Sequence, residues 1–106
     1  MKKAVTLCMA IAAAAAVSLA ADAAAGKAIF DRSCKSCHGA DGTPNPNIAK
    51  MMKVEMRPLG SGEVQAMSDD DIKKIITEGR GKMKPVASVA GKSADDVVAF
   101  IRTLKK

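Results

Sequence analysis

The sequence predicts an all-α domain, and three observations carry that prediction. Two segments, beginning near Ser68 and Ser93, pair a capping hydroxyl with acidic residues and then an apolar stripe at helical spacing. A third segment, from Ala24 to about Lys35, puts Gly26, Phe30 and Cys34 on one helical face. No stretch alternates apolar and polar residues with the period of two that a half-buried strand requires.

The chain of 106 residues opens with Lys2 and Lys3, followed by an uncharged, alanine-rich run from Ala4 to Ala21. Small residues at alternate positions follow, in Ala21-Asp22-Ala23 and Ala23-Ala24-Ala25. A positive start, an apolar stretch and an A-x-A site together describe an export leader that is removed. The run is near the lower limit of roughly 18 residues for a membrane span, and alanine is only weakly apolar. The expected organisation is a leader over residues 1–23, cut somewhere between 20 and 25, and one small domain over 24–106. Cys8 lies within the leader, without the small residues before it that lipid attachment needs.

Along the domain, the helix from Ala24 gives way to loop chemistry in Gly-Ala-Asp-Gly and Thr-Pro-Asn-Pro-Asn, residues 39–47. A short helix is expected around Ile48 to Met52, and Pro58, Gly60 and Gly62 interrupt again. Ser68 then caps a helix whose first turn holds Asp69, Asp70 and Asp71 and whose stripe is Ile72, Ile75 and Ile76; Gly79 stops it. Three adjacent aspartates invite a calcium reading, but the EF-hand spacing and its closing glutamate are missing. Ser93 is expected to cap the last helix, with Asp95 and Asp96 in its first turn and Val97, Phe100, Ile101 and Leu104 along one face. Arg102, Lys105 and Lys106 complement the dipole at its end.

Composition narrows the function. The net charge is +6, which favours acidic partners. No basic stripe is interleaved with aromatics, so nucleic acid is not expected. With two phenylalanines, no tyrosine and no tryptophan, the core is short of large side chains. Some of its apolar volume is expected to come from a group other than protein.

The chain's only histidine, His38, directly follows Cys34-Lys35-Ser36-Cys37. Zinc wants four ligands, and the domain offers two cysteines and one histidine. A thioredoxin-like dithiol belongs beside a βαβ pattern, which is lacking. A plain disulfide would staple a small exported domain but leaves His38 unexplained. C-x-x-C-H is the attachment pattern of c-type haem. Each thiol adds across one vinyl group, and the next residue's imidazole takes one axial position on iron. Cys34 and Cys37 are thus the expected attachment points and His38 the expected ligand.

The second axial position is often filled by a methionine sulfur, which raises the reduction potential. Past the leader the candidates are Met51, Met52, Met56, Met67 and Met83. Met83 stands in Gly79-Arg80-Gly81-Lys82-Met83-Lys84-Pro85, a loop bounded by glycine and proline between two helices. Such a loop can present a side chain to a large ligand, so Met83 is the expected second ligand and Met56 the runner-up.

With this motif, the Gly-x-Gly-x-Met loop and a short final helix, the chain resembles the class I cytochromes c, closest to small monohaem cytochromes of bacteria and photosynthetic chains. The resemblance runs from Gly26 to Lys106. It implies the small cytochrome c fold, with helices around one covalent haem c. It also implies that Gly26 and Phe30 of the first helix pack against Val97 and Phe100 of the last. A carbonyl of Pro44 or Pro46 would hold the axial histidine. Two departures are visible: Lys84 separates Met83 from Pro85, and no tryptophan or tyrosine is available near the haem propionates. Arg57, Arg80 or backbone amides would serve there instead.

The function expected from this reading is a monomeric periplasmic electron carrier, not an enzyme. It would dock on acidic redox partners through Lys35, Lys82 and Lys84 and make no stable membrane insertion after the leader is cut. The alternative is a haem sensor or peroxidase-like protein with a weak or open sixth position.

Overall fold

The computed structural model describes residues 21–106; the expected leader and Cys8 fall almost wholly outside them. Six helical segments follow one another: α1 (Ala23–Ser33), α2 (Lys35–His38), α3 (Pro46–Met52), α4 (Gly62–Gln65), α5 (Asp69–Glu78) and α6 (Lys92–Thr103). Among the described residues there is no strand, only an isolated bridge between Arg80 and Met83. No described helix is long and apolar enough to cross a membrane.

The principal packing is α1 across α6, with α5 lying against α6. Gly26 makes the crossing possible: a Cβ there would run into the Asp96 carbonyl and stand 3.0 Å from the Val97 nitrogen. One turn further on, Phe30 meets Phe100 with ring centroids 5.0 Å apart and planes tilted by 55°. These are the four residues that the resemblance paired. Around them Ile72, Ile76, Val89, Ala94, Val98 and Ile101 complete a small core that also includes Cys34.

Four of the six described helix starts carry a side-chain cap; the turn after Cys34 and the last helix do not. Ser68 caps α5, its Oγ accepting from the Asp71 amide, and Gly79 ends that helix at a positive φ of 80°. The first helix starts at Ala23 because the Asp22 carboxylate accepts from the amides of Ala24 and Ala25. The expected Ser93 cap is not formed. The Ser93 amide donates to the Ala90 carbonyl, α6 starts at Lys92, and Gly91 occupies the cap position without a side-chain bond. Asp95 lies in the first turn of α6 as expected, but Asp96 falls beyond it. Its side chain is 8% exposed and accepts from the Asp22 amide at 2.8 Å and from Lys92 Nζ at 3.0 Å.

The middle of the chain is fastened to the last helix by side chains. Gln65 Nε2 donates to the carbonyls of Leu59 and Ile101. Arg102 spans from α6 to the start of α5, donating to the carbonyls of Gln65 and Met67 and to the Asp69 carboxylate. What reads in sequence as a helix-end charge is a clamp on three segments.

Candidate functional site

The Cys34–His38 motif hangs directly from α1. Cys34 ends that helix, its amide donating to the Phe30 carbonyl at 2.8 Å, and it also begins the single turn α2. The Cys34 carbonyl then accepts from the Cys37 amide at 3.3 Å and the His38 amide at 3.0 Å. This turn brings Cys34, Cys37 and His38 to one wall of a cleft. Gly39 leaves the turn at a φ of 75°, and a Cβ there would meet the Thr43 carbonyl. Asn45 fastens the following loop back onto the motif: its amide donates to the Cys37 carbonyl, its Nδ2 donates to the Ser36 carbonyl, and its Oδ1 caps α3. Sequence reasoning passed over Asn45, although the Asn-Pro-Asn order is a helix-start signal.

Met83 lines the same cleft from a second segment of the chain. Gly79 departs from α5, and Arg80 and Met83 exchange amide–carbonyl hydrogen bonds, each 2.9 Å, across a two-residue turn. Gly81 supplies that turn's positive φ of 57°. The segment is then tied back to α5, where the Val86 amide donates to the Ile76 carbonyl at 2.8 Å. Met83 is thereby held from both sides, and its register does not depend on the Met-Pro pair that this chain lacks.

The cleft has a volume of about 560 Å³, within the roughly 300–1,000 Å³ of small-molecule sites. Ile48, Met52, Val54, Met56 and Val86 supply apolar lining, and Arg57, Arg80, Lys82 and Lys84 also border it. Met56 therefore shares the cleft with Met83. Met51 and Met67 do not: Met51 is exposed and Met67 leans on the core. Lys35 is exposed on α2 and does not border the cleft.

The donor set suits a large apolar group attached through sulfur. Cys34 and Cys37 are free thiols, and His38 keeps a buried Nδ1 with no hydrogen-bond partner. Neither Pro44 nor Pro46 presents its carbonyl to that nitrogen; Pro46 instead opens α3 at its first turn. Residues 21–101 match the protein family described as cytochrome C oxidase, cbb3-type, subunit III. The chain belongs to this family of c-type cytochromes.

Two relatives bear this out. The chain is 33% identical over 92 residues to cytochrome c-554(547) of Halothiobacillus neapolitanus, a match that spans 81% of this chain and 100% of the relative. Among solved structures it is similar to the KustC0563 c-type cytochrome, with a TM-score of 0.65 and 30% identity over 76% of this chain and 98% of that one. It is a small monohaem class I cytochrome c, all-α as its sequence predicts, and its cofactor is a covalently bound haem c.

The electrostatics of the cytochrome's cleft follow from burial. Desolvation lowers the His38 pKa, favouring a neutral imidazole, the form that can ligate a metal. Burial pushes the Cys34 thiol up, and the neighbouring Cys37 adds to the effect. The cationic groups bordering the cleft include Lys82 and Lys84, two of the three lysines expected to form a docking ring.

Proposed function

We propose that this cytochrome is an exported, periplasmic one-electron carrier whose haem is joined through Cys34 and Cys37 and ligated by His38 and Met83. The observation that carries the reading is the single cleft that takes His38 from the first half of the chain and Met83 from the second. Bound haem supplies an iron that cycles between Fe(III) and Fe(II). The chain's part is to hold that group still. Cys34 is fixed to the Phe30 helix, desolvation lowers the His38 pKa, and Met83 is pinned by reciprocal bonds with Arg80.

Met83 is preferred to Met56 on backbone order. Glu55, Met56 and Arg57 take no part in backbone hydrogen bonds with the described residues, whereas the Met83 amide and carbonyl are both paired. With His38 and Met83 both bound to it, the iron would keep no open site for peroxide or gas, which would separate a carrier from the sensor and peroxidase-like alternatives. Lys82 and Lys84, beside the cleft, give a brief electrostatic docking site for acidic redox proteins. The family's description also fits a chain that delivers electrons inside an oxidase complex. The freestanding carrier is favoured because the match to cytochrome c-554(547) takes in the whole of that relative.

The test is the visible spectrum of the purified protein, oxidised and reduced, for wild type, Met83→Ala and Met56→Ala. Loss of the methionine-ligation band in Met83→Ala alone is the expected result. Loss in Met56→Ala alone would transfer the ligand to that residue, and an absent covalent haem would end the proposal.

A further inference from the structure

We propose that the exported protein begins at Ala21, cut between Ala20 and Ala21, so that Asp22 is retained as the cap of the fold's first helix. The inference rests on the export leader assumed in the functional reading. Within the expected window of 20–25, three cuts put small residues at both positions a leader peptidase reads: Ser18 with Ala20, Ala21 with Ala23, and Ala23 with Ala25. A cut after Ala21 would instead present Leu19 at the outer of these positions. The fold separates the three candidates.

Cuts after Ala23 or Ala25 both remove Asp22, and Asp22 makes four hydrogen bonds. Its Oδ1 accepts from the amides of Ala24 at 2.9 Å and Ala25 at 3.2 Å. Its carbonyl accepts from the Gly26 amide at 2.9 Å, and its own amide donates to Asp96 Oδ1 at 2.8 Å, 74 residues away. Without Asp22 the first turn of α1 loses its cap, and a new ammonium sits where the helix dipole disfavours positive charge. The buried Asp96 carboxylate would also lose a donor, leaving Lys92 as its remaining partner among the described residues. A cut after Ala25 would place that ammonium on Gly26, at the closest approach of α1 to α6.

A cut before Ala21 keeps all four bonds. It also creates the ammonium in suitable surroundings. Ala21 lines a small cleft, about 260 Å³, where the carboxylates of Asp69, Asp70 and Asp95 outnumber the cations of Lys92 and Arg102. Asp69 and Asp95 pair with Arg102 and Lys73, while Asp70 makes no ion pair among the described residues. Hydrolysis of the Ala20–Ala21 bond consumes one water, leaving a carboxylate on Ala20 and the ammonium on Ala21.

The experiment is the intact mass of the haem-loaded protein recovered from the exported fraction of cells expressing the full chain. The expected mass is that of residues 21–106 with one haem. A chain starting at Ala24 or Gly26 would overturn the inference while leaving export intact, and a chain starting at Met1 would overturn both. A second measurement compares unfolding of haem-loaded proteins engineered to start at Ala21 or at Ala24. The shorter form should melt about 4–8 °C lower, the effect of one lost helix cap in a domain of this size. Equal midpoints would remove the structural reason for the cut.

Discussion

Phe30 and Phe100 meet with their rings tilted by 55° at a centroid distance of 5.0 Å, joining the first helix to the last within the core. Phe100→Ala is expected to cost about 3–5 kcal/mol, the range for truncating a buried aromatic. That is a large part of the roughly 5–15 kcal/mol that holds a small domain together. Denaturant unfolding of the haem-loaded protein checks it, with Phe100→Leu expected to fall between wild type and alanine.

Gly26→Ala should be nearly as damaging although it adds a single methyl. The new Cβ meets backbone, the Asp96 carbonyl, so no side-chain rotation can relieve it and α1 must move off α6. Overpacking of this kind costs about 1–3 kcal/mol or more. The thermal midpoint reads it, and the exposed Ala28 serves as a control: Ala28→Ser should shift the midpoint far less.

Acid should weaken the protein partly through Asp96. Its pKa is lowered, first by the Asp22 amide and then by Lys92. A carboxylate whose folded pKa is depressed contributes stability above its unfolded value of about 3.9, and loses it as pH falls through the folded value. Asp96→Asn should therefore be less stable than wild type at neutral pH. The difference should narrow below about pH 4, as measured by unfolding across a pH series.

Charge reversal beside the cleft should change rate without changing the iron. Lys82→Glu with Lys84→Glu is expected to slow electron transfer to an acidic redox protein several-fold at low ionic strength. The difference should fade as salt shortens the screening length to about 3 Å at 1 M. Stopped-flow mixing measures it, and an unchanged visible spectrum would show that the haem's ligands are intact.

What the sequence made legible was local chemistry and motif spacing. Ser68 with its aspartates, Gly79 as a stop, and Gly26 and Phe30 on one helical face all depend on neighbours within a turn or two, and the structure agrees with each. One cleft is lined by Cys34, Cys37 and His38, which the motif singles out, and by Met83, which its glycine- and proline-bounded loop singles out. The misreadings share a cause. Asp96 reads in sequence as a first-turn acid of the last helix, but only Asp95 lies in that turn, and Asp96 accepts from an amide 74 residues away. Arg102 fits a helix-end charge until its bonds to Gln65, Met67 and Asp69 are known. Ser93 looked like a cap because serine before acids usually is one, yet the turn from Ala90 had already claimed its amide. The single turn α4, capped by Ser61, escaped notice because Gly62 reads as a breaker. Periodicity registers neither the long-range bonds of Asp96 and Arg102 nor which local turn forms at Ser61 and Ser93.

The crossing of α1 on α6 also has a consequence in time. Its contacts join residues near 26 to residues near 97, so the loop that must close includes almost the entire domain. Closing so long a loop is slow and entropically costly, and it cannot happen until the last helix has been synthesised. Until then the Cys34–His38 turn has no completed core behind it. The topology thus grants a modifying enzyme an interval in which both thiols are within reach, and it ends that interval when the chain's two ends meet.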